Sequence, residues 1–138
     1  MQIDFWVLAA MTILWFAWMT WLSHQNGEDT GKASRDLARC LEGTFPFVKM
    51  DLEQWNRHLR KMAHVVVFAV LTVLLGLTLT AASVALPKLP FLVAVSVWAW
   101  ADEKTKIPIP GRHFSWQDVG LNLMGILMGA GVLWLFAM

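Results

Sequence analysis

Residues 62–85, MAHVVVFAVLTVLLGLTLTAASVA, decide the fold. Beyond His64 the stretch carries no ionisable side chain. It exceeds the roughly 20 apolar residues an α-helix needs to cross a hydrocarbon core about 30 Å thick. A soluble domain hiding such a helix would need a charged surface around it. The chain supplies little of one, since 57% of its 138 residues are apolar and 15% are charged, against roughly 45–50% and about 25% in soluble domains. Apolar residues instead fall in long blocks separated by polar ones, the layout of a polytopic membrane protein.

Upstream, residues 3–22 form a second block of spanning length, polar only at Asp4 and its threonines. The start, Met1-Gln2-Ile3-Asp4, lacks the basic residues that open a signal peptide and predicts a retained helix. Residues 23–58 are polar, mixed in charge and punctuated by Gly27, Gly31, Gly43 and Pro46, so they leave the hydrocarbon. Within them Leu52, Trp55, Leu59 and Met62 follow a candidate N-cap at Asp51 with helical spacing. That pattern fits an interfacial helix running into the next span, or an ordinary solvated amphipathic turn.

Downstream, Pro87 and Pro90 punctuate a turn that reverses the chain. The next apolar run, 91–101, covers only about 17 Å at 1.5 Å per residue. Crossing therefore requires about 88–103, which draws Asp102 and Glu103 toward the hydrocarbon; re-entry without crossing is the alternative. A loop over 104–116 holds Pro108, Pro110 and Gly111 before a last span at 117–137. The expected fold is an all-α polytopic membrane helical bundle, 1–138 as a single membrane domain. It has four transmembrane helices, at about 3–22, 62–85, 88–103 and 117–137, and an amphipathic helix in the first loop. Nine Trp and no Tyr suit it, because the amphipathic indole favours the headgroup level.

Formal net charge is +1, which gives no reason to expect nucleic acid or a polyanionic partner. Lys32, Arg35, Arg39, Lys49, Arg57, Arg60 and Lys61 lie in the first loop and Lys104, Lys106 and Arg112 in the third, against Lys88 alone on the other side. By the positive-inside rule that face is cytoplasmic and both termini lie outside. Cys40, the single cysteine, has no internal disulfide partner and reads as a small semi-buried residue.

Polar residues gather at span ends on one face: Ser23 and Gln25, Arg60, Lys61 and His64, Asp102 and Glu103, Arg112, Asp118 and Asn122. Ionisable groups at membrane depth cost about 2.5–3.5 kcal/mol on insertion scales and are normally paired or functional. In the last span Asp118, Asn122, Gly125 and Gly129 share a stripe about 60° wide. Gly125 and Gly129 form a small-xxx-small pair suited to close helix contact. Asp118 also fits plain capping of the first turn. Arg60 and Lys61 could simply snorkel to headgroups. His64 needs a partner, plausibly a carboxylate from another helix. Asp102 and Glu103 suit a general base, metal ligands, or ion-pair partners of Arg60 and Arg112. His64 with these carboxylates could hold a divalent cation, but no H-x-x-x-H pair exists, and no metal or cofactor is assigned. His24, His58 and His113 read as solvated.

The blocks Arg60-Lys61-Met62-Ala63-His64, Ala101-Asp102-Glu103 and Pro110-Gly111-Arg112-His113-Phe114-Ser115-Trp116-Gln117-Asp118, with Asn122, Gly125 and Gly129, resemble the VanZ-like family. Ser23-x-Gln25-x-Gly27 is similar to its signature at the end of the first span, and the likeness covers nearly the whole chain. Lys106 departs from the pattern, since many members carry Gln there. So does the N-terminus, where members often carry basic residues that would hold it in the cytoplasm and turn the polar face outward. The resemblance implies a multi-pass protein of the bacterial cytoplasmic (inner) membrane, from a family whose founding member is associated with reduced teicoplanin susceptibility. It implies no established reaction.

Two functional expectations follow. In the first, the polar face binds or processes an anionic lipid or a lipid-linked envelope precursor. Ser23, Gln25, Arg60, Lys61, Arg112 and Asn122 are then the binding residues, and His64, Asp102, Glu103 and Asp118 the candidate catalytic ones. In the second, the cluster is an ion-pair network that staples a non-enzymatic scaffold or partner-binding protein. A transporter is a weaker third idea, because four spans are few for a pathway unless the protein oligomerises. No Ser-x-x-Lys, Gly-rich phosphate loop or Cys/His nucleophile pair names a chemistry.

Overall fold

The computed structural model describes residues 4–44, 50–84 and 87–136. The expected span ends at 3, 85 and 137, the start at Met1-Gln2-Ile3, and Pro46 and Lys49 lie outside the described residues. Five helices follow one another: α1 (Phe5–Ser23), α2 (Gly27–Thr44), α3 (Leu52–Ala81), α4 (Lys88–Thr105) and α5 (Trp116–Phe136).

Short polar side chains start most of them. The Asp4 carboxylate accepts the Trp6 amide at 3.3 Å, and Asn26 Oδ1 accepts the Asp29 amide at 2.9 Å ahead of α2. At α3 the Asp51 carboxylate accepts the Gln54 amide at 2.7 Å, and the Asp51 amide donates back to the Gln54 side chain at 3.1 Å. This reciprocal pair satisfies two amides that a bare helix start leaves open. Ser115 Oγ accepts the Asp118 amide at 3.2 Å at the head of α5.

The segment that begins at Asp51 runs into the second span as expected: it is the opening of α3, continuous over 30 residues. At 1.5 Å per residue α3 is about 45 Å long, so its charged N-terminal turns project beyond a hydrocarbon core of roughly 30 Å. The first loop also holds a helix that its glycines did not predict, α2, which buries Gly31 and Ala38. Its outward face carries Cys40, exposed rather than semi-buried because the residue points away from the bundle.

α3 is the central element. α5 packs along it, α1 and α2 pack on it, and α4 lies against α5. The α3–α5 approach depends on the predicted glycine pair: a Cβ on Gly125 would collide with the Val65 carbonyl, and one on Gly129 with the Ala69 carbonyl. The helix backbones touch there, as in small-xxx-small membrane contacts. Met19, Phe68, Leu71, Val95, Ala99 and Ile126 meet in the core. Thr72 donates to the Phe68 carbonyl at 2.7 Å, and Thr12 and Thr78 share a hydrogen bond of 2.8 Å between α1 and α3.

Much of the outer surface of α1, α4 and α5 is apolar. Leu14 is 69% exposed, Leu127 63% and Phe136 86%, an arrangement suited to lipid tails rather than water. α1, α3 and α5 are each long and apolar enough to cross a membrane. α4 has 18 residues but contains Lys88, Asp102, Glu103 and Lys104.

Candidate functional site

The C-terminal ends of α1 and α4 and the N-terminal parts of α3 and α5 meet at one end of the bundle, as contacts between distant residues show. Ser23 Oγ at the end of α1 donates to Asp102 Oδ1 on α4 at 2.8 Å. The Gly27 amide donates to the Pro110 carbonyl at 3.3 Å, and a Cβ on Gly27 would strike the carbonyl of Gly111, itself in the left-handed region at φ 73°. Glycine at both positions lets the loop between α4 and α5 close onto the start of α2. Arg112 completes this clasp, donating from Nε to the Gln25 carbonyl at 3.2 Å and from Nη2 to Thr30 Oγ1 at 2.8 Å.

The polar residues divide into two groups. One is buried: Asp102, Glu103 and Lys106 are 3%, 1% and 4% exposed. The Lys106 ammonium lies 3.0 Å from Asp102 Oδ2 and also binds Glu103 Oε1. With Ser23 on Asp102 Oδ1, both oxygens of Asp102 are engaged. The expected pairing of Asp102 and Glu103 with Arg60 or Arg112 is therefore not what forms. Lys106 lies three and four residues along the same stretch, one turn away, and reaches both acids whatever the neighbouring helices do.

The other group stands open to one side. His64 Nδ1 lies 2.9 Å from Asn122 Oδ1. A side-chain amide oxygen only accepts, so Nδ1 carries the proton in this contact, and in the neutral form of the ring Nε2 presents its lone pair. That atom faces Asp118 Oδ2 at 3.7 Å. Asp118 does not cap α5, a role taken by Ser115, and its carboxylate turns to the histidine instead. Asn122 is fully buried, and its Nδ2 has no partner among the described residues. One ligand atom each from His64, Glu103 and Asp118, on α3, α4 and α5, lies within 4.8 Å of the others.

The cations are placed unequally. Arg112 is half-buried and binds only neutral oxygens. Burial first, and then Arg60, pull its guanidinium below the usual range, while Glu103, Asp118 and Asp102 pull it back up; an arginine nonetheless stays charged at neutral pH. Arg60 and Lys61 are exposed, and among the described residues neither has a carboxylate within salt-bridge distance. Gln25 enters through its backbone carbonyl, with no side-chain bond among those described. His24, His58 and His113 are exposed, the first two turned onto the Thr20 and Gln54 carbonyls.

Three contributors escaped sequence reasoning as site residues: Lys106, Thr30 and Ser115. Lys106 carried a signal in its spacing from the acidic pair, and Ser115 in its place just before an apolar run. Thr30 carried none.

A bundle of membrane-length helices with an apolar exterior and a charged cluster at one end defines the class: a helical membrane protein. The chain belongs to the VanZ/LLP1 family, whose model matches residues 6–137. No curated protein and no solved structure matches it.

Proposed function

We propose that the open half of the cluster binds the anionic headgroup of a membrane lipid or lipid-linked envelope precursor. The observation that carries this reading is Arg112: a half-buried guanidinium, within electrostatic reach of Arg60, bonded only to neutral oxygens. A phosphate offers the direct anionic partner that Arg112 lacks among the described residues, and it matches the guanidinium fork. His64, with its Nε2 lone pair beside Asp118, is the group on this face equipped to take or return a proton.

The reading places four spans in the bacterial cytoplasmic membrane. α4, about 27 Å long at 1.5 Å per residue, falls about 3 Å short of a core of roughly 30 Å, a mismatch that local thinning and snorkelling of its end residues absorb. Its buried acids are matched by Lys106. Its end lysines lie against aromatic rings, Lys88 over Trp134 at 5.1 Å and Lys104 over Trp100 at 5.6 Å, as snorkelling at two interfaces requires. An effect on teicoplanin susceptibility would then follow from altered headgroups at the envelope surface.

The structural-network reading is favoured for one part only, the set of Asp102, Lys106 and Ser23, in which both oxygens of Asp102 are taken. The test is native mass spectrometry of lipid retention, comparing phosphatidylglycerol with phosphatidylcholine. Arg60→Gln, at an exposed site, and Arg112→Lys should each lower retention of the anionic lipid several-fold. Unchanged selectivity in both variants would sink the headgroup reading.

A further inference from the structure

His64, Glu103 and Asp118 come from three different helices, yet offer one ligand atom each within a 4.8 Å sphere of mutual distance. Tetrahedral Zn²⁺ with bonds of roughly 2.0–2.2 Å to nitrogen and oxygen holds its ligand atoms about 3.4 Å apart. His64 Nε2 and Asp118 Oδ2, at 3.7 Å, are already near that spacing, and side-chain rotation of about an ångström brings in the third atom.

The histidine is also set in the form a metal needs. Metal-bound imidazoles characteristically donate their other N–H to a fixed acceptor, which fixes the tautomer and the ring plane. Here Nδ1 donates to the side chain of Asn122, which is fully buried and therefore held in place. Nε2 is left facing Asp118 Oδ2.

Asp102, Glu103 and Asp118 bring three formal negative charges; the Lys106 ammonium binds the first two, and Arg112 lies within electrostatic reach of all three. Asp102 is spent, with Ser23 on one oxygen and Lys106 on the other. Lys106 takes only Oε1 of Glu103, so the second oxygen has no ion pair among the described residues.

We propose that His64, Glu103 and Asp118 bind a divalent first-row transition cation of the zinc class, with at least one position left for water or an anionic oxygen. One imidazole with two carboxylates and no thiolate is a borderline-to-hard donor set, which suits such an ion better than a soft one. The proposal goes beyond the headgroup reading and stands without it.

The test uses the full chain, purified without a polyhistidine tag, stripped with chelator and held in nanodiscs of zwitterionic lipid, so that no anionic headgroup takes part. Co²⁺ alone is titrated and its visible ligand-field bands recorded, followed by displacement with Zn²⁺. One equivalent of Co²⁺ should give the bands of a four- or five-coordinate site, and Zn²⁺ should abolish them. His64→Ala should remove the bands, Asp118→Asn should weaken binding at least tenfold, and His113→Ala, at an exposed loop histidine, should change nothing. Absence of saturable binding in the wild type overturns the proposal. So does wild-type affinity in Asp118→Asn, a near-isosteric change at a partly exposed side chain that decides the matter even if His64→Ala fails to fold.

Discussion

Side chains of Asp102, Glu103 and Lys106 keep 3%, 1% and 5% of their surface accessible, whereas those of His64 and Asp118, on the neighbouring α3 and α5, keep 22% and 35%. The two groups share one end of one bundle, and Glu103 touches both. Burial dictates what each must do. A carboxylate removed from water needs its charge and its lone pairs met inside the protein, so the α4 acids arrive with their own lysine and a serine from α1. A partly exposed histidine–carboxylate pair is under no such compulsion. It can leave a lone pair unspent, and unspent valence is what a ligand or a proton uses. The closed group ties α4 to α1 through Ser23, and the open group is the one proposed to bind.

The severest way to break this contrast is to remove the lysine. Lys106→Met leaves two buried carboxylates without their cation, and breaking a buried pair from one side costs about 3–5 kcal/mol. The melting temperature in detergent should fall further than for any other single change in the cluster. Combining it with Asp102→Asn and Glu103→Gln removes the uncompensated charge and should restore most of the loss. A Lys106→Met protein that melts with the wild type would mean that the acids are not buried as a charged group, and the distinction between the halves would collapse.

Asn122 lies on the boundary between them, fully buried yet bonded to the open histidine. Asn122→Ala strands the His64 Nδ1–H, and an unsatisfied buried donor costs about 1–3 kcal/mol. A smaller loss of melting temperature than for Lys106→Met is expected, with a clear effect on His64 itself: the Nδ1–H signal in proton NMR should lose its hydrogen-bonded shift. An unaltered signal would show that the ring is held by something else.

How far these features could be read from sequence depends on whether they are local. The apolar blocks announced α1, α3 and α5, and the glycine stripe of α5 announced its contact with α3, because spacing on a helix is a geometric consequence of its period. α2 was legible in principle: Asn26 followed by Glu28 and Asp29 is an N-cap with acids in the first turn. Gly27, Gly31 and Gly43 obscured it by reading as breakers, although Gly27 is needed for the approach of Gly111 and Gly31 is buried on the bundle side. The pairing of Lys106 with Asp102 and Glu103 was likewise written in its spacing, but a departure from a family pattern drew attention from the short-range partner. The clasp of Arg112 on Gln25 and Thr30 was not legible, because it links residues 87 and 82 positions apart through a backbone carbonyl and a hydroxyl that carry no pattern.

The smallest effect on stability should come from the open group, and it sharpens the contrast most. Asp118 is one-third exposed, its carboxylate 3.7 Å from His64, and its backbone amide already capped by Ser115. Exposed pairs of this kind are typically worth about 0.2–1 kcal/mol, so Asp118→Asn should shift the melting temperature by about 4 °C at most. The same substitution removes the carboxylate that faces the His64 lone pair. If the open half is the functional one, Asp118→Asn must lose function while the fold stays intact, measured as Co²⁺ affinity or as the phenotype of a strain that depends on this protein. A large drop in melting temperature would instead place Asp118 in the same class as Asp102, and the cluster would then be a single structural network.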